Sequence, residues 1–380
     1  MEKKRRIVFV NQATGYLAID IINAFAPSFD MVAVIYGDIR VQDVELAQNV
    51  EKSKVIEKTR NSNIARFFRW LVATIQIFFL LATKYRKYEI FYFSVPPFAY
   101  MNSMFFRRKF SILMWDVYPD ALKIINIDKS NILYRLWSNL NKKLFKRAFR
   151  IYTIGESLKD LLAQYIEPEK IKVIQLWSGI TNIIAVAKVD NPFVMHHHLE
   201  EKFIIQYSGN LGPTYNIEAL VETACLTASD KDILYIIIGR GIKFHMAKKM
   251  AFDNKLDNVL FLPFQSDDMI RYSLAAADIS VVLIDEKVAT SSIPSKVYNL
   301  LAIGSPIISI SPDNTEINKL ITKYGIGKNF SKDDFTGMAD FIREMKGSPE
   351  ILKRYQKNSL DASANFTMVN ANKFVTDYLN

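Results

Sequence analysis

Short runs of β-branched and aromatic residues recur from end to end of this 380-residue chain, with helix-length segments between most of them. In the first half they fall at 7–10, 31–35, 90–93, 111–115, 151–154 and 173–176. In the second half they fall at 203–207, 233–238, 259–262, 279–283 and 307–310. Runs this short and continuous suit strands buried on both faces, as in a parallel sheet flanked by helices. The chain is too long for one ordinary domain, and half of its residues are hydrophobic, enough for two cores. The pattern therefore predicts an α/β protein with two doubly wound, Rossmann-like parallel-sheet domains. The boundary is expected in an aperiodic linker, 181–201, which contains Asn191-Pro192. That leaves an N-terminal domain at 1–180 and a C-terminal one at 202–362. A final helical segment, 363–380, carries Phe366, Phe374, Val375 and Tyr378 and is expected to pack back on the first domain.

Charge separates the halves. Residues 61–150 carry 16 Lys and Arg against 4 Asp and Glu, more than the whole chain's net +10. Nucleic acid and an anionic membrane surface are the usual partners of such a segment. The stretch 66–87 (RFFRWLVATIQIFFLLATKYRK) favours the membrane. Its weakly polar core, 70–83, is short for a span, and Arg66, Arg69, Lys84, Arg86 and Lys87 flank it with aromatics just inside. Two readings are compatible: a long helix packed on the sheet, and a helix lying at the bilayer interface. Phe105-Phe106-Arg107-Arg108-Lys109 adds to the same basic surface. The N-terminal apolar run is too short for a secretory signal, so a cytoplasmic location is expected. The lone Cys225 excludes an internal disulfide. The His196-His197-His198 triplet lies in the expected linker, and no metal function is assigned to it.

Chemistry is expected where strands hand over to helices. Gly15 follows the first strand, Gly209-Asn210-Leu211-Gly212 follows 203–207, and Gly239-Arg240-Gly241 follows 233–238. At 279–296 an apolar strand runs through a polar loop into Pro294-Ser295-Lys296. Glycines let backbone approach a ligand, and Lys296 adds a full positive charge, so the four turns point to a phosphorylated ligand. Asp116 sits at the carboxyl end of a strand beside Trp115. It either accepts a proton from an acceptor hydroxyl or orients the donor sugar, or it is a helix- or turn-capping residue before Pro119. Asp120 reads as a cap or wall residue, and Asp285 with Glu286 as a solvated loop edge.

These residues carry a resemblance. Tyr-Ser-Gly-Asn-Leu-Gly (207–212), Ile-Ile-Gly-Arg-Gly (237–241), Asn-Val-Leu-Phe-Leu-Pro-Phe (258–264) and the stretch 294–308 resemble the donor domain of the family 4 (group 1) retaining glycosyltransferases. Ser-Val-Pro-Pro (94–97) and Trp-Asp-Val-Tyr-Pro-Asp (115–120) are similar to a subgroup that includes N-acetylfucosamine transferases of O-antigen and capsule synthesis. The resemblance implies a GT-B fold with a cleft between two Rossmann-like domains. It also implies a nucleotide-sugar donor, UDP-linked in the favoured case, and no metal cofactor. The acceptor would be a polyprenyl-diphosphate-linked saccharide on the N-terminal domain, with the enzyme peripheral at the inner face of the cytoplasmic membrane. Nucleic acid is not an expected partner.

Site residues follow position by position. Gly15, Gly209, Asn210, Gly239, Arg240, Phe264, Ser291, Ser292, Ser295, Lys296 and Asn299 are expected at the donor, with Asp116 and Lys296 as the catalytic pair. The sequence also departs from the family. Ser291 and Asn299 stand where it carries two glutamates, Asn210 and Tyr215 where it carries cations, and Asp116 where it carries a histidine. Lys296 is the expected compensating cation, with Arg240 and Lys243 behind it. The alternatives are a non-catalytic nucleotide-sugar-binding scaffold and a nucleotide-sugar epimerase. The missing cleft histidine disfavours the second.

Overall fold

The computed structural model describes residues 5–39, 44–59, 62–179, 186–213, 215–266, 268–284, 286, 289 and 294–380. The chain divides into two compact units. The first is Met1–Trp177 with Met368–Asn380, and the second is Ser178–Thr367.

In the first unit the order is β1 (Arg6–Thr14), α1 (Tyr16–Phe25), β2 (Met31–Ile39), β3 (Val50–Lys54), α2 (Asn63–Ala82), β4 (Glu89–Phe93), β5 (Phe110–Met114), α3 (Ile132–Arg147), β6 (Arg150–Thr153), α4 (Glu156–Leu162) and β7 (Ile171–Val173). The seven strands form one sheet in the order β3-β2-β1-β4-β5-β6-β7, and every pair is parallel. Residues 7–12 of β1 are fully buried, as a central parallel strand requires.

The second unit runs α5 (Pro192–His197), β8 (Phe203–Asn210), α6 (Glu218–Leu226), β9 (Ile233–Arg240), α7 (Ile242–Asp253), β10 (Val259–Leu262), α8 (Ile270–Ala275), β11 (Ile279–Leu283), α9 (Lys296–Ala302), β12 (Ile307–Ile310), α10 (Glu316–Tyr324), β13 (Gly327–Phe330), α11 (Phe335–Gly347) and α12 (Pro349–Ser363). Its parallel sheet has the order β10-β9-β8-β11-β12-β13. The last helix, α13 (Asn370–Leu379), belongs to the first unit. Tyr378 packs edge-on against Phe25 and Phe149, donates to a Glu89 carboxylate oxygen at 2.8 Å, and Arg150 pairs with Asp377 at 3.0 Å.

Both sheets have the doubly wound order, which reverses between β1 and β4 and again between β8 and β11. Ligands collect beyond the carboxyl ends of strands at such switch points.

Three elements differ from the sequence reading. The strand expected at 173–176 lies at Ile171–Val173, and β3 and β13 were not anticipated. Both of the latter are edge strands, so half of their hydrogen-bonding groups face outward and their sequences, VEKSK and GKNF, are polar. The expected linker also contains structure: α5 packs Phe193 and Val194 into the core of the second unit. Asn191-Pro192 is a helix start rather than a break. The Asn191 side-chain oxygen accepts from Phe193 N at 3.0 Å, and Pro192 takes the first helical position, where its missing N–H costs nothing.

Candidate functional site

The carboxyl edge of the second sheet is built around two glycines. Gly239 has φ +156°, and a Cβ there would stand 2.0 Å from the Gly209 carbonyl oxygen. Gly209 has φ +155°. Only glycine lets the ends of β8 and β9 come this close. The turn is pinned by Tyr207, whose hydroxyl donates to the Asn210 carbonyl at 3.0 Å.

Lys296, on the first turn of α9, reaches this turn. Its Nζ lies 3.8 Å from the centre of the Tyr207 ring and donates to the Ser208 carbonyl at 3.4 Å. Among the described residues no carboxylate pairs with it. Burial without a counter-charge pushes its pKa down to about 7. A cation held in this way is stabilised by any anion that arrives beside it.

Beneath Lys296 is a cavity of about 150 Å³ between the sheet and helices α8 and α9. Phe264, Ile270 and Leu274 form its apolar wall, and Gln206, Ser208 and Asn299 supply polar groups. Arg240 is exposed and lies 5.2 Å over the Phe264 ring. The structure thus brings together Gly209, Phe264, Lys296 and Asn299 of the expected donor residues, with Gly239 and Arg240 at the next strand end.

Other expectations change. Lys243 is not a reserve cation for the site, because its ammonium is paired with Glu218. The Asn299 side-chain oxygen already accepts from Ser178 Oγ at 2.9 Å and from Gly179 N at 3.0 Å. Asn210 directs its side chain to solvent, and Ser295 is an exposed residue at the start of α9. Ser291, Ser292 and Asp285 lie outside the described residues. Glu286 pairs with Lys332 at 3.7 Å at the surface. Gln206 was not anticipated, although a glutamine inside the run FIIQY is visible as a polar residue in a central strand.

The edge of the first sheet carries different chemistry. Ser94 Oγ accepts from the backbone N–H groups of Trp115 (3.0 Å) and Asp116 (3.3 Å), fixing the loop after β5. The Asp116 side chain reaches solvent, and no hydrogen-bond partner is found for its carboxylate among the described residues. Desolvation by its surroundings raises its pKa, with Lys58 opposing. Asp120 is instead a structural hub, buried and accepting from Tyr134, Tyr165, Lys123 and Gln164. Burial alone pushes its pKa up, but the hydrogen bonds from Lys123, Tyr134 and Tyr165 outweigh that and hold it below the usual value. Gly15 starts α1, with open space where a Cβ would project.

Alongside this edge lies α2, apolar on two sides. Trp70, Ala73, Ile77 and Leu81 form the buried stripe. Ile64, Phe68, Ile75 and Phe79 are exposed by 56–73%, and Phe105 beside them by 69%. Ile64–Ala82 is long and apolar enough to cross a membrane. It is nevertheless tied down along its length. Gln12 and Asn102 donate to the Arg69 and Thr74 carbonyls, Gln76 accepts from Ile56 N, and Arg108 donates to the Leu81 carbonyl.

Residues 192–361 match the family model described as glycosyl transferases group 1. The match is confined to this segment, less than half of the chain. It covers the second unit from α5 to near the end of α12 and includes every residue around Lys296 described above. Among curated proteins, the chain is similar to the probable glycosyltransferase WbjE of Pseudomonas aeruginosa, with 27% identity over 62% of this chain. It is also similar to the putative colanic acid biosynthesis glycosyl transferase WcaI of Escherichia coli (strain K12), with 26% identity over 56% of this chain. The matches span about 60% and 53% of those relatives' own lengths. Among solved structures, that of Anabaena Alr3699/HepE in complex with UDP and glucose superposes with a TM-score of 0.70 at 14% identity, covering 99% of both chains. That likeness shows the fold, GT-B with two Rossmann-like domains.

Proposed function

We propose that the chain is a retaining glycosyltransferase of bacterial surface-polysaccharide synthesis. It moves a sugar from a nucleoside-diphosphate donor, UDP-linked in the favoured case, to a polyprenyl-diphosphate-linked saccharide. Lys296 carries the reading. A partly buried lysine with no carboxylate paired to it among the described residues, set against a glycine turn and above an apolar cavity, is shaped for the diphosphate of a nucleotide sugar. Its charge takes the place of a metal ion, so no divalent cofactor is required. The glycosyltransferase relatives support the transfer chemistry, and a UDP complex of HepE supports the donor class.

In the step itself the acceptor hydroxyl attacks from the face that the leaving diphosphate vacates. As the bond to the anomeric carbon breaks, charge grows on the diphosphate oxygens, and Lys296 with the Gly209 turn stabilises it. Asp116, with its raised pKa and accessible carboxylate, accepts the proton of the acceptor hydroxyl. The exposed face of α2 lies in the acyl boundary of the cytoplasmic leaflet, and Arg66, Arg69, Arg86 and Arg107 meet anionic headgroups. Its lateral hydrogen bonds favour lying in the interface over crossing the bilayer. The first unit is then the acceptor-binding domain, at the surface where a lipid-linked saccharide is presented.

The test is thermal stabilisation by a panel of UDP-, GDP- and dTDP-sugars, followed by transfer to a polyprenyl-diphosphate saccharide. A rise in Tm with one donor and formation of a lengthened lipid-linked product are expected. Binding without transfer to any lipid-linked acceptor would leave a nucleotide-sugar-binding scaffold instead.

A further inference from the structure

Gln206 sits in the middle of β8 and is 2% exposed, yet among the described residues neither atom of its carboxamide has a hydrogen-bond partner. Its register neighbour Ser280 has its hydroxyl engaged by Ser305 Oγ at 2.7 Å. Buried side-chain amides are almost always satisfied, so a fully orphaned one needs an explanation. The cavity supplies it. Gln206 lines the same space as Lys296, Phe264, Ile270 and Leu274. Side chains alternate along a strand, so Gln206 and Ser208 face this cavity while Ile205 and Tyr207 face the opposite core.

We propose that Gln206 reads the nucleobase of the donor, and that the base offers it an imide edge, as uracil does. The inference rests on the nucleoside-diphosphate reading above and adds the group that selects the base. With the diphosphate on Lys296 at the level of Ser208 and Gly209, the rest of the nucleotide extends into the cavity. Gln206 lies two residues further in, about 7 Å along the strand. A carboxamide offers one donor and one acceptor side by side. Its N–H₂ donates to a ring carbonyl of uracil, and its oxygen accepts from the adjacent N3–H. Phe264, Ile270 and Leu274 provide the apolar wall for a flat ring.

The experiment is calorimetric titration of the full chain with UDP, GDP and N3-methyluridine 5′-diphosphate, on wild type and on Gln206→Met, which keeps volume but removes the amide. Wild type should bind UDP about tenfold to a hundredfold more tightly than the N3-methyl analogue, since a blocked N3–H leaves the amide oxygen unpaired. The Met variant should lose a similar factor for UDP and no longer distinguish the two. Equal wild-type affinity for UDP and its N3-methyl analogue, or undiminished discrimination by the Met variant, overturns the proposal while leaving the donor reading intact. Preference for GDP over UDP does the same. Failure of every diphosphate to bind wild type overturns the donor reading itself. Equal wild-type affinity for UDP and its N3-methyl analogue overturns the proposal even if the Met variant does not fold.

Discussion

The two sheets share a strand order around their switch points and differ in what they place there. The second ends in a glycine turn, a lysine and a cavity-lining amide that have no ion-pair or hydrogen-bond side-chain partner among the described residues, and an apolar cavity. The first ends in an accessible carboxylate, with a helix nearby whose outer face is mostly hydrocarbon. One fold therefore carries an edge built around a lysine and an edge with an accessible carboxylate next to an exposed apolar helix face. The difference lies in the turns and side chains at the strand ends, which is why fold alone does not assign function.

Replacing Lys296 by Met should break the second edge outright. Turnover should fall by about a hundredfold or more. Stability should move the other way. The folded pKa of Lys296 is about 7, against an ordinary value of 10.5. Below pH 7 the lysine is charged in both states and its burial opposes folding in full; the penalty is relieved as pH rises from 7 to 10.5. The variant should therefore melt no lower than wild type at neutral pH, and its stability should lose that upward slope with pH. Melting curves at pH 6.5 and 9, alongside a transfer assay, check both.

Asp116→Asn tests whether the first edge does chemistry. A proton acceptor should cost roughly a hundredfold or more in kcat with donor affinity unchanged. The raised pKa should also place the acid limb of the wild-type rate profile above the ordinary carboxylate range, and the variant should lose that limb. A turn-capping role would lower Tm and leave the profile unchanged.

The α2 face sharpens the comparison, because it belongs to the first edge alone. Phe68→Glu with Ile75→Glu removes two exposed hydrophobes and adds like charge toward an anionic surface. Flotation with phosphatidylglycerol vesicles should weaken by about tenfold to a hundredfold, while UDP binding in solution stays as it was. Phe264→Ala should have the smallest effect, a several-fold loss of donor affinity from one half-exposed wall, read by titration.

The sequence showed most of the interior of both sheets, because buried parallel strands must be apolar and continuous. Edge strands escape that requirement, so β3 and β13 read as loops. The cap in Asn191-Pro192 was visible, but without knowing that Phe193 and Val194 are buried it looked like a break. At the site, Lys296 was legible because it follows a strand–loop–helix handover. Lys243 was misassigned because its partner, Glu218, lies 25 residues away in sequence. Gln206 was in plain view, but only three dimensions show that nothing pairs with it.

The central claim is that Lys296 holds the donor diphosphate. Its most direct test is calorimetry of UDP binding at pH 8 in two buffers of different ionisation enthalpy. Near a pKa of about 7, Lys296 is mostly neutral in the free protein at that pH and becomes charged beside the diphosphate. Uptake of about one proton per UDP bound is expected, lost in Lys296→Met together with most of the affinity. UDP binding with no proton uptake and equal affinity in the variant would contradict it.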